Sequence, residues 1–416
     1  MRKEIKELIS EFQLKGYKTE NLFERLNDLA TNTDDAFLFA TQFLKTFTKS
    51  ATVFNEVLSY INAEQFKALI NNALEIFKTN ANENAETVIE FASLQFPELL
   101  HNDLELIFEL NPNGKSFYAN YPWRNLAKEK ILFFKNKFEN TIIIAEKEKL
   151  FECLLQTRDA ETVVFAYNYA METNLFKHKY GEDYLLAHLE LVGFTIKNGN
   201  IENYCPNPVS HFVFSKNYFP KMDRAKNQQH PSWNLEPNET KYAFGGIIKE
   251  DDNNPLMHII TFNKIPSGIK ISGLPQLVLG LHTRELNENG IVFYQHDTLG
   301  NPIKINDLLK IEDHNDLPMQ QTEVAFTETP KRWEIQSWGS SNGNENLYRL
   351  GGEPTWIQNP HVIICPLCNE KMDFLMQLDT GLPDTNGGEV YFGSGGICYI
   401  FWCDTSKVSG YTMQCT

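Results

Sequence analysis

The chain has 416 residues, 42% of them hydrophobic and 22% charged, and its 38 basic and 54 acidic residues give a formal net charge of −16. That length allows about two or three domains, no apolar run reaches the ~18 residues that span a bilayer, and the negative charge would repel a phosphate backbone, so neither a membrane segment nor direct nucleic-acid binding is expected. A basic partner protein is compatible with that charge, and so is the plainer role of acidity in keeping a protein dissolved.

The first residues, from Arg2 to Glu7, start an amphipathic helix rather than a signal peptide, so a cytoplasmic protein is expected. From Glu4 to about Asn174 the apolar residues recur at helical spacing. Ile5, Leu8, Ile9 and Phe12 form one stripe, and Leu22, Phe23, Leu26 and Leu29 a second. Asn32-Thr33-Asp34 offers N-cap chemistry ahead of Phe37, Ala40, Phe43, Leu44 and Phe47. Val53 to Ile61, Phe66 to Phe77 and Asn82 to Leu94 continue the series, and Asn111-Pro112-Asn113-Gly114 reads as a turn. Helical patterning resumes at Ala127–Phe138, continues through Cys153 to about Met171, and returns over Glu182–Leu191. Short helices with one apolar stripe each pack as a bundle or a short solenoid. An all-helical domain is therefore expected over residues 1–180, with Cys153 as a buried structural thiol.

After Gly193 the texture changes to Pro, Gly, Asn, aromatics and alternating β-branched residues. His211–Phe214 reads as a strand, Lys221–Pro237 as a polar loop, and short strands follow. The fold class is thus α+β, with the helical domain followed by a β-rich domain over residues 200–416. This half also resembles itself. Tyr242-Ala243-Phe244-Gly245-Gly246 matches Tyr348-Arg349-Leu350-Gly351-Gly352, and Met257–Phe262 matches Phe374–Asp379. Leu277–His282 matches Cys398–Cys403, and Tyr294-Gln295-His296 matches Met413-Gln414-Cys415. An internal duplication is expected, with copies at about 240–300 and 346–416.

Five of the seven cysteines, Cys365, Cys368, Cys398, Cys403 and Cys415, lie at the end of the chain. Crowded with a C-x-x-C in a chain expected in the cytoplasm, they favour metal binding or free thiols over disulfides. Zinc takes four soft or borderline ligands in a tetrahedron. Cys365 and Cys368 supply one pair from a knuckle; Cys403 closes a strand, and a hairpin could bring Cys415 to it. Cys398, five residues before Cys403, falls on the opposite strand face and is left out. The expected set is Cys365, Cys368, Cys403 and Cys415, holding a structural zinc ion. Four free thiols is the alternative; a redox centre is disfavoured because no βαβ setting surrounds the motif. The first copy carries His282 and His296 where the second carries Cys403 and Cys415, but it has no knuckle.

His230-Pro231-Ser232-Trp233 reads as an anchored turn, His258 as a strand residue, and Asp379 and Asp384 as carboxylates serving loop backbone. No phosphate-cradling loop, nucleophile elbow or H-E-x-x-H is present. Tyr348–Trp356 (Y-R-L-G-G-E-P-T-W), Phe374–Asp379 (F-L-M-Q-L-D) and Gly395–Cys403 together resemble the YwqG-like family of bacterial proteins, over roughly residues 200–416. The resemblance implies a duplicated β-rich α+β unit. Its members often neighbour polymorphic toxins, which implies a non-enzymatic protein-binding or immunity role, with a basic toxin as the candidate partner. The helical half and the cysteine set depart from the simplest members. An enzyme with a site between the two copies, or a helical scaffold, are the alternative readings.

Overall fold

Each N-terminal stripe becomes the buried face of a short helix. The computed structural model describes residues 2–79, 82–110, 119–176, 182–219, 230–248, 256–305 and 317–415. The helices are α1 (Lys3–Lys15), α2 (Leu22–Ala30), α3 (Thr33–Thr46), α4 (Thr52–Leu58), α5 (Ala63–Thr79), α6 (Glu83–Gln95), α7 (Leu104–Leu110), α8 (Lys128–Asn140), α9 (Ile144–Gln156) and α10 (Ala160–Thr173). Their starts follow side-chain chemistry. Asn32 accepts from the backbone N–H groups of Asp34 and Asp35, Asn82 from Asn84 and Ala85, and Asp159 from Thr162. Each satisfies donors that the first turn leaves without a partner. In α3 the buried set is Ala36, Phe39, Ala40, Phe43 and Leu44, so Phe39 takes the place expected of Phe37. Near neighbours pack together, α3 on α4, α5 on α6 and α9 on both α8 and α10. The expected turn at Asn111–Gly114 lies outside the described residues, as does most of the loop from Lys221.

The chain divides into two compact units, Met1–Lys179 with Gln229–Pro231, and Tyr180–Gln228 with Ser232–Thr416. The second unit therefore begins some twenty residues before the expected start at 200. It takes in α11 (Glu182–Leu191) and the hairpin of β1 (Phe194–Lys197) and β2 (Asn200–Asn203). There follow β3 (Ser210–Phe214), β4 (Lys241–Phe244), β5 (Ile247–Ile248), β6 (Leu256–Phe262), β7 (Leu277–Leu281), α12 (Thr283–Asn289), β8 (Ile291–His296), β9 (Pro302–Lys304) and β10 (Thr322–Glu328). The last strands are β11 (Arg349–Leu350), β12 (Asp373–Asp379), β13 (Leu382–Pro383), β14 (Glu389–Val390), β15 (Ile397–Cys403) and β16 (Val408–Gln414).

Twelve of these strands form one antiparallel sheet in the order β5-β6-β4-β10-β3-β11-β12-β15-β16-β8-β9, with β7 also on β6. The Val278 N–H donates to Gly300 O at 2.9 Å, which ties β7 to the turn before β9 and curls the sheet round on itself. One large core fills the inside, built from Phe212, Phe244, Ile260, Leu279, Met376, Ile400, Trp402 and others. A second core holds Tyr204, Trp356, Phe374, Ile397, Tyr399, Phe401, Cys403 and Cys365. Strand β15 feeds both by period-two alternation: Cys398, Ile400 and Trp402 face the first, and Ile397, Tyr399, Phe401 and Cys403 the second. Cys398 thus lies on the face opposite Cys403.

The stretches matched in sequence share local backbone features. Gly245 N–H donates to Ile259 O, and Gly351 N–H to Leu375 O, at 3.0 and 2.7 Å. Strand β6 bulges between His258 and Ile260, and β12 between Phe374 and Met376. These bonds put His258 opposite Phe374 in any comparison, so the sequence pairing of Met257 with Phe374 is one residue out of register. Both strands bulge at the equivalent residue, Ile259 and Leu375. The last matched blocks differ outright: β15 and β16 pair as a hairpin, whereas α12 stands between β7 and β8, and β8 pairs with β16 and β9.

Candidate metal centre

Residues 363–372 fold as a tight hairpin. Ile364 bridges Lys371, the Cys365 N–H donates to Glu370 O at 2.8 Å, and the Met372 N–H to Ile363 O at 3.0 Å. Pro366 presets the turn, and Asn369 takes a left-handed backbone (φ +60°), which asparagine tolerates better than most residues. The Asn369 N–H closes the turn on Cys365 O at 2.9 Å. This folds Cys365 and Cys368 back toward the end of β15, where Cys403 faces the same core.

The sulfur atoms of Cys365, Cys368 and Cys403 all lie within 4.8 Å of one another, and those of Cys368 and Cys403 are 3.5 Å apart. Four sulfurs at 2.3 Å from a zinc ion stand about 3.8 Å from each other, so the observed spacing suits one shared cation. Cys365 and Cys403 are buried, and Cys368 is half-buried at the mouth. Burial pushes the Cys403 thiol up to about 12, and the neighbouring sulfurs add to that. Burial also acts to raise Cys368, but hydrogen bonds from the Ser406 hydroxyl, the Glu370 backbone and the two other thiols outweigh it and hold Cys368 below the usual thiol range. The cluster could hold a metal ion.

Cys415 is not part of it. The β15–β16 turn sets Val408 opposite Cys403 and Gln414 opposite Ile397. Cys415 therefore sits at the far end of the hairpin, about six strand residues or 20 Å from Cys403. There a Cβ placed on Gly393 would meet its sulfur at 2.8 Å, and Ser394 lowers its pKa by hydrogen bonding. The hairpin expected to unite the two cysteines is what separates them. Cys398 is fully buried on the other face, its thiol raised by desolvation. Cys153 is buried in α9 beside Asn120, and burial likewise raises it.

Sequence reasoning missed Ser406. It lies in the β15–β16 turn, where its side chain helps lower the Cys368 thiol and its backbone acts the same way on Cys403. The signal was a second C-x-x spacing, Cys403-Asp404-Thr405-Ser406.

The residues that carry the family resemblance serve the scaffold. The Gln377 side chain donates to Leu347 O at 2.9 Å and accepts from the Thr355 N–H at 2.9 Å. Asp379 accepts from the backbone of Asn342 and Thr380. Trp356 donates to the Tyr204 hydroxyl, and Asp384 accepts from Asn386 and Gly388. Among the histidines, both ring nitrogens of His258 are occupied, by Gly245 O at 2.7 Å and Thr261 Oγ1 at 2.8 Å, and burial lowers its pKa. His296 is held the same way by Gly300 O and Ser409 Oγ. His282 is buried just before α12. In the 231–233 turn, Trp233 donates to Asn344 O at 2.8 Å. A cavity of about 870 Å³ opens over β3, β4 and β10, lined in part by Phe214, Phe219, Trp233, Glu236, Lys241 and Glu323. None of its described lining residues is a histidine or a cysteine.

No family model, curated protein or solved structure matches this chain. Among the described residues, no helix is long and apolar enough to cross a membrane.

Proposed function

We propose that this chain is a cytoplasmic, non-enzymatic protein-binding protein whose β-rich unit is clamped by a structural zinc ion at Cys365, Cys368 and Cys403. The zinc reading rests on three sulfurs that meet from two separate turns. A cation there would tie residues 363–372 to the β15–β16 hairpin and neutralise thiolates that burial disfavours. The proposal includes the YwqG-like resemblance and the duplicated origin of the β unit, which the shared Gly-to-bulge bonds favour.

The binding role is carried by one surface observation. Ile142, Ile143 and Ile144, which lead from α8 into the first residue of α9, are 95%, 60% and 64% exposed. Three adjacent exposed isoleucines form an apolar patch, which supports reading this place as a contact surface. With the net charge of −16, a basic partner such as a secreted toxin fits best. The test is co-expression with any basic toxin whose gene neighbours this one. Protection is expected from the wild-type chain and its loss from an Ile142→Asp/Ile143→Asp variant that still folds. Absence of both protection and complex formation would overturn the immunity reading.

A further inference from the structure

The two turns that meet at the cysteine cluster share one geometry. In the first, Cys365 lies across from Glu370, five residues on, and the fourth residue after the cysteine, Asn369, has φ +60°. In the second, Cys403 pairs with Val408, again five residues on, and the fourth residue, Lys407, has φ +53°. The third residue after the first cysteine is Cys368. The third after the second is Ser406. Backbone amides reach the sulfurs in both turns, from Glu370 to Cys368 and from Ser406 to Cys403. These are two knuckles of one kind, with a hydroxyl standing where the second thiol of a two-knuckle site belongs.

We propose that Ser406 Oγ fills the fourth corner of the metal site, giving a three-sulfur, one-oxygen centre. This rests on the zinc reading above. Ser406 is placed for it: it stands in its turn where Cys368 stands in the first, and its side chain acts on Cys368 and its backbone on Cys403. A lone hydroxyl is a weaker ligand than a thiolate, and such a site takes a divalent, thiophilic cation more loosely than a four-thiolate one. Residue 406 therefore sets how tightly the metal is held.

The experiment titrates the full-length chain with Co²⁺ alone, anaerobically, and follows the sulfur-to-cobalt absorption; zinc affinity is read by chelator competition. Wild type should take one cobalt with a three-thiolate spectrum. Ser406→Cys should raise the charge-transfer intensity by about one third as three thiolates become four, and tighten zinc binding by about tenfold or more. Ser406→Ala should keep the three-thiolate intensity and weaken zinc binding several-fold. Cobalt uptake with an unchanged Ser406→Cys spectrum, and a new thiol that stays reactive in the loaded protein, would overturn the Ser406 assignment and leave the metal reading standing. If Ser406→Cys does not fold, an unaltered zinc affinity in Ser406→Ala overturns it. No cobalt uptake by wild type would overturn the metal reading itself, and this one with it.

Discussion

Replacing Gly351 by alanine should be among the most damaging single changes to the β-rich unit, and its size follows from two contacts. A Cβ on Gly351 would lie 2.1 Å from Pro208 O and 2.9 Å from Pro208 C, both backbone atoms that cannot swing aside. The residue also sits at φ +67°, where an L side chain costs about 1–2 kcal/mol. Relieving the clash moves the chain by more than the slack in two bonds, Gly351 N–H to Leu375 O at 2.7 Å and Gly352 N–H to Asn207 O at 3.0 Å. Each is worth about 1 kcal/mol net. The expected loss is therefore about 3–4 kcal/mol. Gly387 is the control: φ is +80°, but nothing lies within 4 Å of its Cβ. Gly387→Ala should cost only the backbone part, about 1–2 kcal/mol. Urea unfolding followed by tryptophan fluorescence suits the comparison, because Trp233, Trp333, Trp338, Trp356 and Trp402 all belong to the β-rich unit. Equal losses in the two variants would refute the argument that the Leu-Gly-Gly block is fixed by close backbone approach.

Three further outcomes are expected. Gly245→Ala, where the Cβ would meet Gln320 O at 2.3 Å, should match Gly351→Ala rather than Gly387→Ala in the same urea assay; a mild loss would separate the two glycine turns. Stability should fall as pH drops below the usual histidine range. Burial depresses His296 to about 4, and burial with the Arg349 charge depresses His211 to about 3. The unfolded chain then takes up protons first, so stability is full above about 6.5 and drains as pH falls toward 4 and then 3. The His296 part is about 3 kcal/mol, and melting temperatures of wild type and His296→Gln between pH 7 and pH 4 should diverge; parallel curves would count against it. Finally, chelator should lower the wild-type melting temperature but leave Cys403→Ala unmoved, since a ligand present at about 1,000 times its Kd contributes about 4 kcal/mol. Cys415→Ala should behave like wild type in this assay, and a chelator-insensitive Cys415→Ala would return that residue to the site.

Much of this architecture was legible because it is local. Helical stripes such as Ile5-Leu8-Ile9-Phe12 and caps such as Asn32 are decided within a few residues. The separation of Cys398 from Cys403 followed from strand alternation alone. What failed depended on register. Cys415 was assigned by asking whether a hairpin exists, when the deciding fact was where it turns: a turn at Asp404–Lys407 pairs Cys403 with Val408 and sends Cys415 away. The one-residue shift between the matched strands shows only in the backbone bonds of Gly245 and Gly351, and α12 after His282 was not anticipated because its seven residues carry too little periodic signal. Ser406 was overlooked because a hydroxyl does not count in a search for thiols, although its spacing from Cys403 repeats that of Cys368 from Cys365.

The most direct measurement is metal content per chain, by mass spectrometry of the full-length protein purified without chelator, beside a Cys365→Ser/Cys368→Ser/Cys403→Ser variant. One zinc per wild-type chain and none in the variant is the expected result. Wild-type protein that carries no stoichiometric metal, even after zinc is supplied, and whose three thiols all react freely, would contradict it.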